Sequence, residues 1–171
     1  MSPPAGPLVV LVGPMGAGKS TVAELLAAAY DVPVRDTDAD VEAAEGRSIS
    51  DIFVDSGEAT FRELERAAVA AALATHEGVL SLGGGAVLDA ATRELLFGHR
   101  VVFRRVGLSE AVKRVGLGAG RPLLFGNVRA QIKKTLDERA PVYESVASFV
   151  VDTDEVAPAD VAARIKETLD A

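Results

Sequence analysis

The eight residues Gly13 to Ser20, GPMGAGKS, stand directly behind the apolar run Leu8 to Val12, and this juxtaposition constrains the chain more than any other feature. The pattern GxxxxGKS calls for a buried strand ending at Val12, a tight turn, and a helix opened by Lys19 and Ser20. Glycines at 13, 16 and 18 let the backbone close around an anion, and the first amides of the helix face it. Lys19 then reaches the β- and γ-phosphates, while the Ser20 hydroxyl ligates Mg²⁺. The chain is therefore expected to bind a nucleoside triphosphate, with Gly13, Pro14, Met15, Gly16, Ala17, Gly18, Lys19, Ser20 and Thr21 against it. The plainer account, a glycine-rich turn with a solvent lysine, would leave the agreement of strand, spacing and helix to coincidence.

Short apolar runs recur at Leu8 to Val12, Pro33 to Val34 leading into Arg35 and Asp36, Val79 to Leu82, Val101 to Phe103 and Ser148 to Val151, with helical patterns between them. Val22, Leu25, Leu26 and Ala29 recur at helical spacing, as do Phe61, Leu64, Ala68 and Ala71, and Val161, Ile165 and Leu169. Strands apolar on both faces belong in a parallel sheet covered on both sides. The expectation is an α/β fold, a three-layer sandwich of the P-loop NTPase type with a five-stranded parallel sheet and helices on both faces. One domain over residues 1–171 is expected, with a short flexible tail at 1–7 and a mobile glycine-rich stretch at about 116–128.

Composition narrows the partners. A formal charge of -7 argues against nucleic acid, since a binder of phosphate backbones presents a basic face. A few arginines in one cleft can still bind a small anion. Without cysteine there is neither a disulfide nor thiolate chemistry, and a cytoplasmic monomer is the expectation. The segment MSPPAGP lacks a basic flank and a long apolar core, so no secretory signal is read there, and no apolar stretch is long enough to span a membrane. His76 and His99 are read as loop histidines.

Ligands of such sheets bind beyond the carboxyl ends of the strands. Asp36, Thr37 and Asp38 follow the second apolar run, Gly83, Gly84 and Gly85 the third, and Asp152 to Pro158 the last. A phosphoryl-transfer enzyme needs an acid beside its Mg²⁺, usually an aspartate ending a buried strand. The third run leads into glycines and the fourth into Arg104, which leaves Asp36 as the candidate metal ligand beside Ser20. Asp38 is then free to accept or orient the proton of an attacking hydroxyl. The bland alternative for either aspartate is a helix N-cap.

The stretches VRDTDADVE (34–42), GRSISDIF (46–53), GEATFRELE (57–65), LGGGAV (82–87), GRPLL (120–124) and ERAPVYE (138–144) together resemble the successive motifs of shikimate kinases, over nearly the whole chain. The resemblance implies ATP-dependent phosphorylation of the 3-hydroxyl of shikimate, a cyclic polyol carboxylate on the route to aromatic amino acids, with Mg²⁺. It assigns Arg62 and Arg139 to the carboxylate, a match between guanidinium fork and carboxylate, and Asp38 to the reacting hydroxyl. It places Gly83, Gly84 and Gly85 against the substrate and Phe53 and Phe61 along its ring, with Glu65 one turn from Arg62 to fix the fork. Arg121 becomes the lid cation that joins Lys19 at the transferred phosphoryl group, and Arg114 and Pro158 sandwich the adenine. In isolation several of these have duller readings: Arg62 and Glu65 as a surface pair, the phenylalanines as core, Arg139 as a helix-end arginine, Pro158 as a helix start.

Two features depart from the family pattern. Arg104 follows Phe103 where an apolar residue is usual, so either its side chain leaves the sheet toward a phosphate or the strand ends early. The lid is richer in glycine and apolar residues than expected. Two other functions compete. A gluconate kinase would use the same phosphate chemistry, and a nucleotide-dependent switch would do no metabolic chemistry. The combination of GGG with the FR and RAPxY motifs favours shikimate over gluconate, and the lack of an NKxD motif disfavours a GTPase.

Overall fold

The computed structural model describes residues 6–14, 19–119 and 126–171. Five strands, β1 (Val9–Val12), β2 (Val34–Asp36), β3 (Val79–Ser81), β4 (Val101–Arg105) and β5 (Phe149–Asp152), form one parallel sheet in the order β2-β3-β1-β4-β5. Among the described residues seven α-helices connect or follow them: α1 (Lys19–Tyr30), α2 (Thr37–Glu45), α3 (Ile49–Thr75), α4 (Ala90–Leu96), α5 (Leu108–Ala119), α6 (Gly126–Val146) and α7 (Pro158–Asp170). Each strand coincides with one of the five apolar runs to within two residues, as expected of segments too apolar to stand anywhere but between two helical layers.

Alternation along the strands sorts the core into two layers. Val10, Val12, Leu80, Leu82, Val101 and Phe103 point one way, against Val69, Ala72 and Leu73 of α3, Leu96 of α4 and Tyr143 of α6. Val9, Leu11, Val79, Val102 and Val151 point the other way, against Val22, Ala23, Leu26 and Ala27 of α1 and Val161, Ala162 and Ile165 of α7. The central strand β1 is fully enclosed, whereas the edge strands expose Val34 and Val150.

Four local readings need correction. In α1, Leu25 and Ala29 are exposed, and Ala23 and Ala27 are buried instead. An apolar stripe with helical spacing admits two settings about 100° apart, and the setting with two alanines inward lets α1 approach α7 and the sheet closely. In α3 the same shift leaves Ala71 exposed and buries Val69, Ala72 and Leu73. β4 does not stop at Phe103; it continues through Arg104, which pairs with Val151, and Arg105, which pairs with Asp152. Arg104 is fully buried there. The stretch read as a loop is also narrower than its glycines suggested. α5 runs through Gly116 and Gly118 to Ala119 and α6 starts at Gly126, because glycine within a helix costs about 1 kcal/mol without forbidding it.

α3 is two helical pieces joined at Gly57, whose φ of 85° and ψ of 165° are non-helical. The first piece packs Ile52 against Val41 of α2 and Phe61 of the second, forming a small satellite core over the β2 side of the sheet. The second piece is tied to α4 through Asp89. One oxygen of that carboxylate caps α4 by accepting the Thr92 N–H at 2.9 Å, and the other accepts from the Arg66 guanidinium at 2.8 Å. The Arg66 bond is the main reason the Asp89 carboxyl is held down at about 2. Because its folded value lies below its ordinary one, its stabilising effect is present above about pH 4 and lost as the pH falls toward 2. Asp89→Ala should therefore lower the thermal midpoint at pH 7 by roughly 3–6 °C, with a smaller difference at pH 2.5, as followed by circular dichroism. Equal midpoints at pH 7 would remove the residue from this role.

Candidate active site

The carboxyl ends of the five strands gather the chemistry. β1 delivers Gly13, whose φ is 149° and where an added Cβ would lie 2.6 Å from the Arg104 carbonyl oxygen. No side chain fits between the start of the phosphate loop and β4, so the first glycine of the motif is sterically required. Ser20 and Thr21 lie exposed at the start of α1, with their side chains open to a ligand. Met15, Gly16, Ala17, Gly18 and Arg121 lie outside the described residues. Lys19 opens α1 and Arg114 falls within α5, but their side chains likewise lie outside what is described.

β2 ends at Asp36, which caps α2. Its Oδ1 accepts the backbone N–H of Asp38 at 2.8 Å and of Ala39 at 3.3 Å. The N-cap account of Asp36 is thus realised, and both bonds fall on Oδ1 rather than Oδ2. Capping fixes the first turn of α2 and with it Asp38, which is half-buried at the mouth of the sheet. Among the described residues no group of three or more His, Asp or Glu could cage a metal. A magnesium ion carried by a nucleotide needs no such cage, since it takes one or two protein oxygens and keeps phosphates and water as its other ligands. The hydroxyl of Ser20 and the carboxylate of Asp36 are hard oxygen donors of that kind.

The triple glycine that follows β3 brings the acceptor side together. An added Cβ at Gly83 would lie 3.0 Å from the Asp38 carboxylate carbon, and one at Gly85 would lie 2.6 Å from the Arg62 guanidinium. Asp38 on α2 and Arg62 on α3 thus pack against one loop. Of its three amides, that of Gly83 is already engaged, donating to the Thr37 hydroxyl at 3.3 Å.

Arg62 is clamped from behind. Its Nη1 bonds Glu65 Oε1 at 2.8 Å, and its Nε lies 3.6 Å from Glu58 Oε1. Glu65 is only 3% exposed, so the pair is more than the surface contact its i, i+3 spacing alone would suggest. Burial pushes the Glu65 carboxyl above its ordinary value; the Arg62 bond and charge pull it back, and the Asp38 charge pushes it up again. Arg139, half-buried on α6, also lowers it through its charge. Asp38, Arg62, Glu65 and Arg139 therefore share one electrostatic neighbourhood, although three separate motifs supply them. The ring centroids of Phe53 and Phe61 are 5.0 Å apart, and the Arg62 guanidinium carbon sits 5.3 Å from the centre of the Phe61 ring. Phe61 is 4% exposed and belongs to the satellite core, whereas Phe53, 37% exposed, offers the open apolar face.

The nucleotide end lies across β1. Val106 and Gly107 follow β4, and the backbone N–H of Gly107 donates to the Asp154 carboxylate at 2.9 Å, joining the loops after β4 and β5. Pro158 is exposed at the first position of α7. A cavity of about 240 Å³, lined in part by Pro14, Phe103, Arg105, Leu136 and Tyr143, opens between the end of β4 and α6. A wider one of about 810 Å³, lined by residues such as Arg93, Phe97 and His99, lies by the amino ends of β4 and β5 and includes none of the site residues named above. His76 stands in the loop just after α3, as read from the sequence, but is buried there and contacts the Val79 carbonyl at 3.1 Å. Two polar residues here had no role in the sequence reading, Thr37 and Tyr143. The visible signals were a threonine between two aspartates and a tyrosine four residues after Arg139 on the same helix.

Comparison with known proteins agrees with this geometry. A family model described as "Shikimate kinase" matches residues 15–170. The chain is 57% identical over 157 residues to the shikimate kinase of Streptomyces coelicolor, covering 92% of each protein. Its structure resembles that of the shikimate kinase from Acinetobacter baumannii in complex with shikimate, with a TM-score of 0.87 and 32% identity over 96% of this chain and 93% of that one. A gluconokinase from Sinorhizobium meliloti shares the fold only, at a TM-score of 0.54 and 23% identity over 97% of this chain and 95% of that one.

Proposed function

The chain belongs to the shikimate kinase family, whose reaction is the ATP-dependent phosphorylation of the shikimate 3-hydroxyl, and from that premise we propose how its own residues divide the work. The observation that carries the proposal is the meeting of Asp38 and Arg62 on the Gly83–Gly85 loop, the one chemically suited to a hydroxyl and the other to a carboxylate. Arg62 and Arg139 hold the carboxylate of shikimate, and Glu65 keeps the Arg62 fork in place. Phe53 lies along the ring. Asp38 accepts or orients the proton of the 3-hydroxyl as its oxygen attacks the γ-phosphorus of ATP in line, and ADP departs.

On the nucleotide side, the Gly13–Ser20 loop cradles the phosphates, Lys19 and Arg121 balance charge on the transferred group, and Arg114 and Pro158 stack on the adenine. Ser20 and Asp36 would hold Mg²⁺. When bound, that ion neutralises charge between the β- and γ-phosphates. Action as a monomer is part of the same proposal. Among the described residues no helix is long and apolar enough to cross a membrane, and the cytoplasm is the proposed setting.

The test is ADP release by the purified protein with Mg²⁺ and ATP, run with shikimate, with gluconate and without acceptor. Release should depend on shikimate. Release with gluconate alone, or none above the acceptor-free rate, would contradict the reading.

A further inference from the structure

The glycine loop that joins Asp38 to Arg62 is itself held from two sides, by side chains that lie behind it rather than in the open site. Thr37 is fully buried, and its hydroxyl accepts the Gly83 N–H at 3.3 Å. Tyr143 is 1% exposed, and its hydroxyl donates to the Gly84 carbonyl. The two bonds therefore grip neighbouring residues of one short loop, Gly83 and Gly84, from separate helices, α2 and α6. Packing fixes the gripping residues in turn. The Tyr143 ring lies 4.9 Å from that of Phe103 in the middle of β4, and Thr37 sits in the first turn of α2 that Asp36 caps. Each also adjoins a substrate residue on its own helix, since Thr37 is next to Asp38 and Tyr143 is one turn beyond Arg139. The Tyr143 phenol has its pKa raised by burial and drawn back by Arg139 and by Arg62.

We infer that Thr37 and Tyr143 are positioning residues that clamp the Gly83–Gly85 loop between α2 and α6, and so hold Asp38, Arg62 and Arg139 in register around one acceptor. The inference rests on the reading of this site as the shikimate site. Its physical basis is the fit of the loop. Gly83 and Gly85 pack so closely on Asp38 and Arg62 that a Cβ at either would overlap them, so a shift of about an ångström in the loop displaces both groups. Misplacement of that size is enough to lower transfer about 100-fold in a site that works by positioning. Neither hydroxyl needs to touch substrate for this to happen.

Steady-state kinetics of Tyr143→Phe, Thr37→Val and Thr37→Ser beside the wild type test the clamp, with thermal unfolding followed in parallel. Tyr143→Phe keeps the ring on Phe103 and removes only the hydroxyl; Thr37→Val removes the acceptor for Gly83, and Thr37→Ser restores it. The first two should each lose about 10- to 100-fold in kcat/KM for shikimate with KM for ATP unchanged, while Thr37→Ser stays close to wild type. A purely structural role would lower the unfolding midpoint without this split between the two substrates. If Tyr143→Phe does not fold, the threonine pair still decides. Wild-type kinetics in folded Tyr143→Phe and Thr37→Val, or an equal rise in KM for ATP, would overturn the clamp. Failure of the wild type itself to turn over shikimate would overturn the underlying reading instead.

Discussion

Asp38→Asn should bind ATP as the wild type does and lose about 10²- to 10⁴-fold in kcat, the usual range for removing a positioned general base. The substitution is nearly isosteric, so the close fit of Asp38 against Gly83 survives, and the capping bonds of Asp36 accept from backbone amides that the change leaves in place. What disappears is the acceptor for the hydroxyl proton. The loss should fall on kcat more than on KM for shikimate, because the proton moves only as the new P–O bond forms. A nucleotide-binding titration beside the kinetics separates the effects. Wild-type kcat in the variant would remove Asp38 from the chemistry, and a large loss of ATP affinity would move it to the nucleotide side.

Replacing Arg62 by alanine should reach further, because Arg62 serves two partners. Toward the substrate, losing one guanidinium that pairs with a carboxylate costs roughly 2–4 kcal/mol, or about 30- to 1,000-fold in kcat/KM for shikimate, with KM for ATP little changed. Toward the protein, it strips Glu65 of its hydrogen-bonded cation. Glu65 is buried and its carboxyl is already raised; without Arg62 it rises further. A carboxyl raised on folding adds stability that is fully present below its unfolded value of about 4.5 and is lost as the pH climbs through its folded value. The alanine variant should therefore be destabilised at pH 7.5 and recover much of the deficit near pH 4.5. Adding Glu65→Gln should restore the midpoint at pH 7.5 without restoring KM. Thermal unfolding at the two pH values, with kinetics on the double variant, checks both halves. An unchanged KM for shikimate in a folded Arg62→Ala protein would place the carboxylate elsewhere.

Much of this was legible in the chain because the relevant signals are local. A parallel strand buried on both faces reads as a run of valines and leucines, and all five strands were visible that way. The phosphate loop is contiguous, so its spacing alone carries its chemistry. The acceptor site is harder, since its parts come from residues 36–38, 62–65, 83–85 and 139–143 and only the fold brings them together. The motif resemblance supplied these parts, and periodicity could not. What stayed hidden depends on packing. The direction in which α1 turns its apolar stripe is decided by the close approach that Ala23 and Ala27 permit, a property of its neighbours. The continuation of β4 through Arg104 rests on backbone pairing with β5, which decides against the one of two alternatives in which the strand ended early. The tasks of Thr37 and Tyr143 are hydrogen bonds to backbone atoms of another element, and such bonds leave no periodic mark in a sequence.

The most direct measurement of the central claim is the identity of the product. Wild-type protein with Mg²⁺, ATP and shikimate should give one phosphorylated compound per ADP, and coupling of phosphorus to the proton on carbon 3 in its NMR spectrum should place the phosphate on the 3-hydroxyl. A phosphate on another hydroxyl, or ADP formed without a phosphorylated acceptor, would contradict the arrangement of Asp38, Arg62 and Arg139 proposed above.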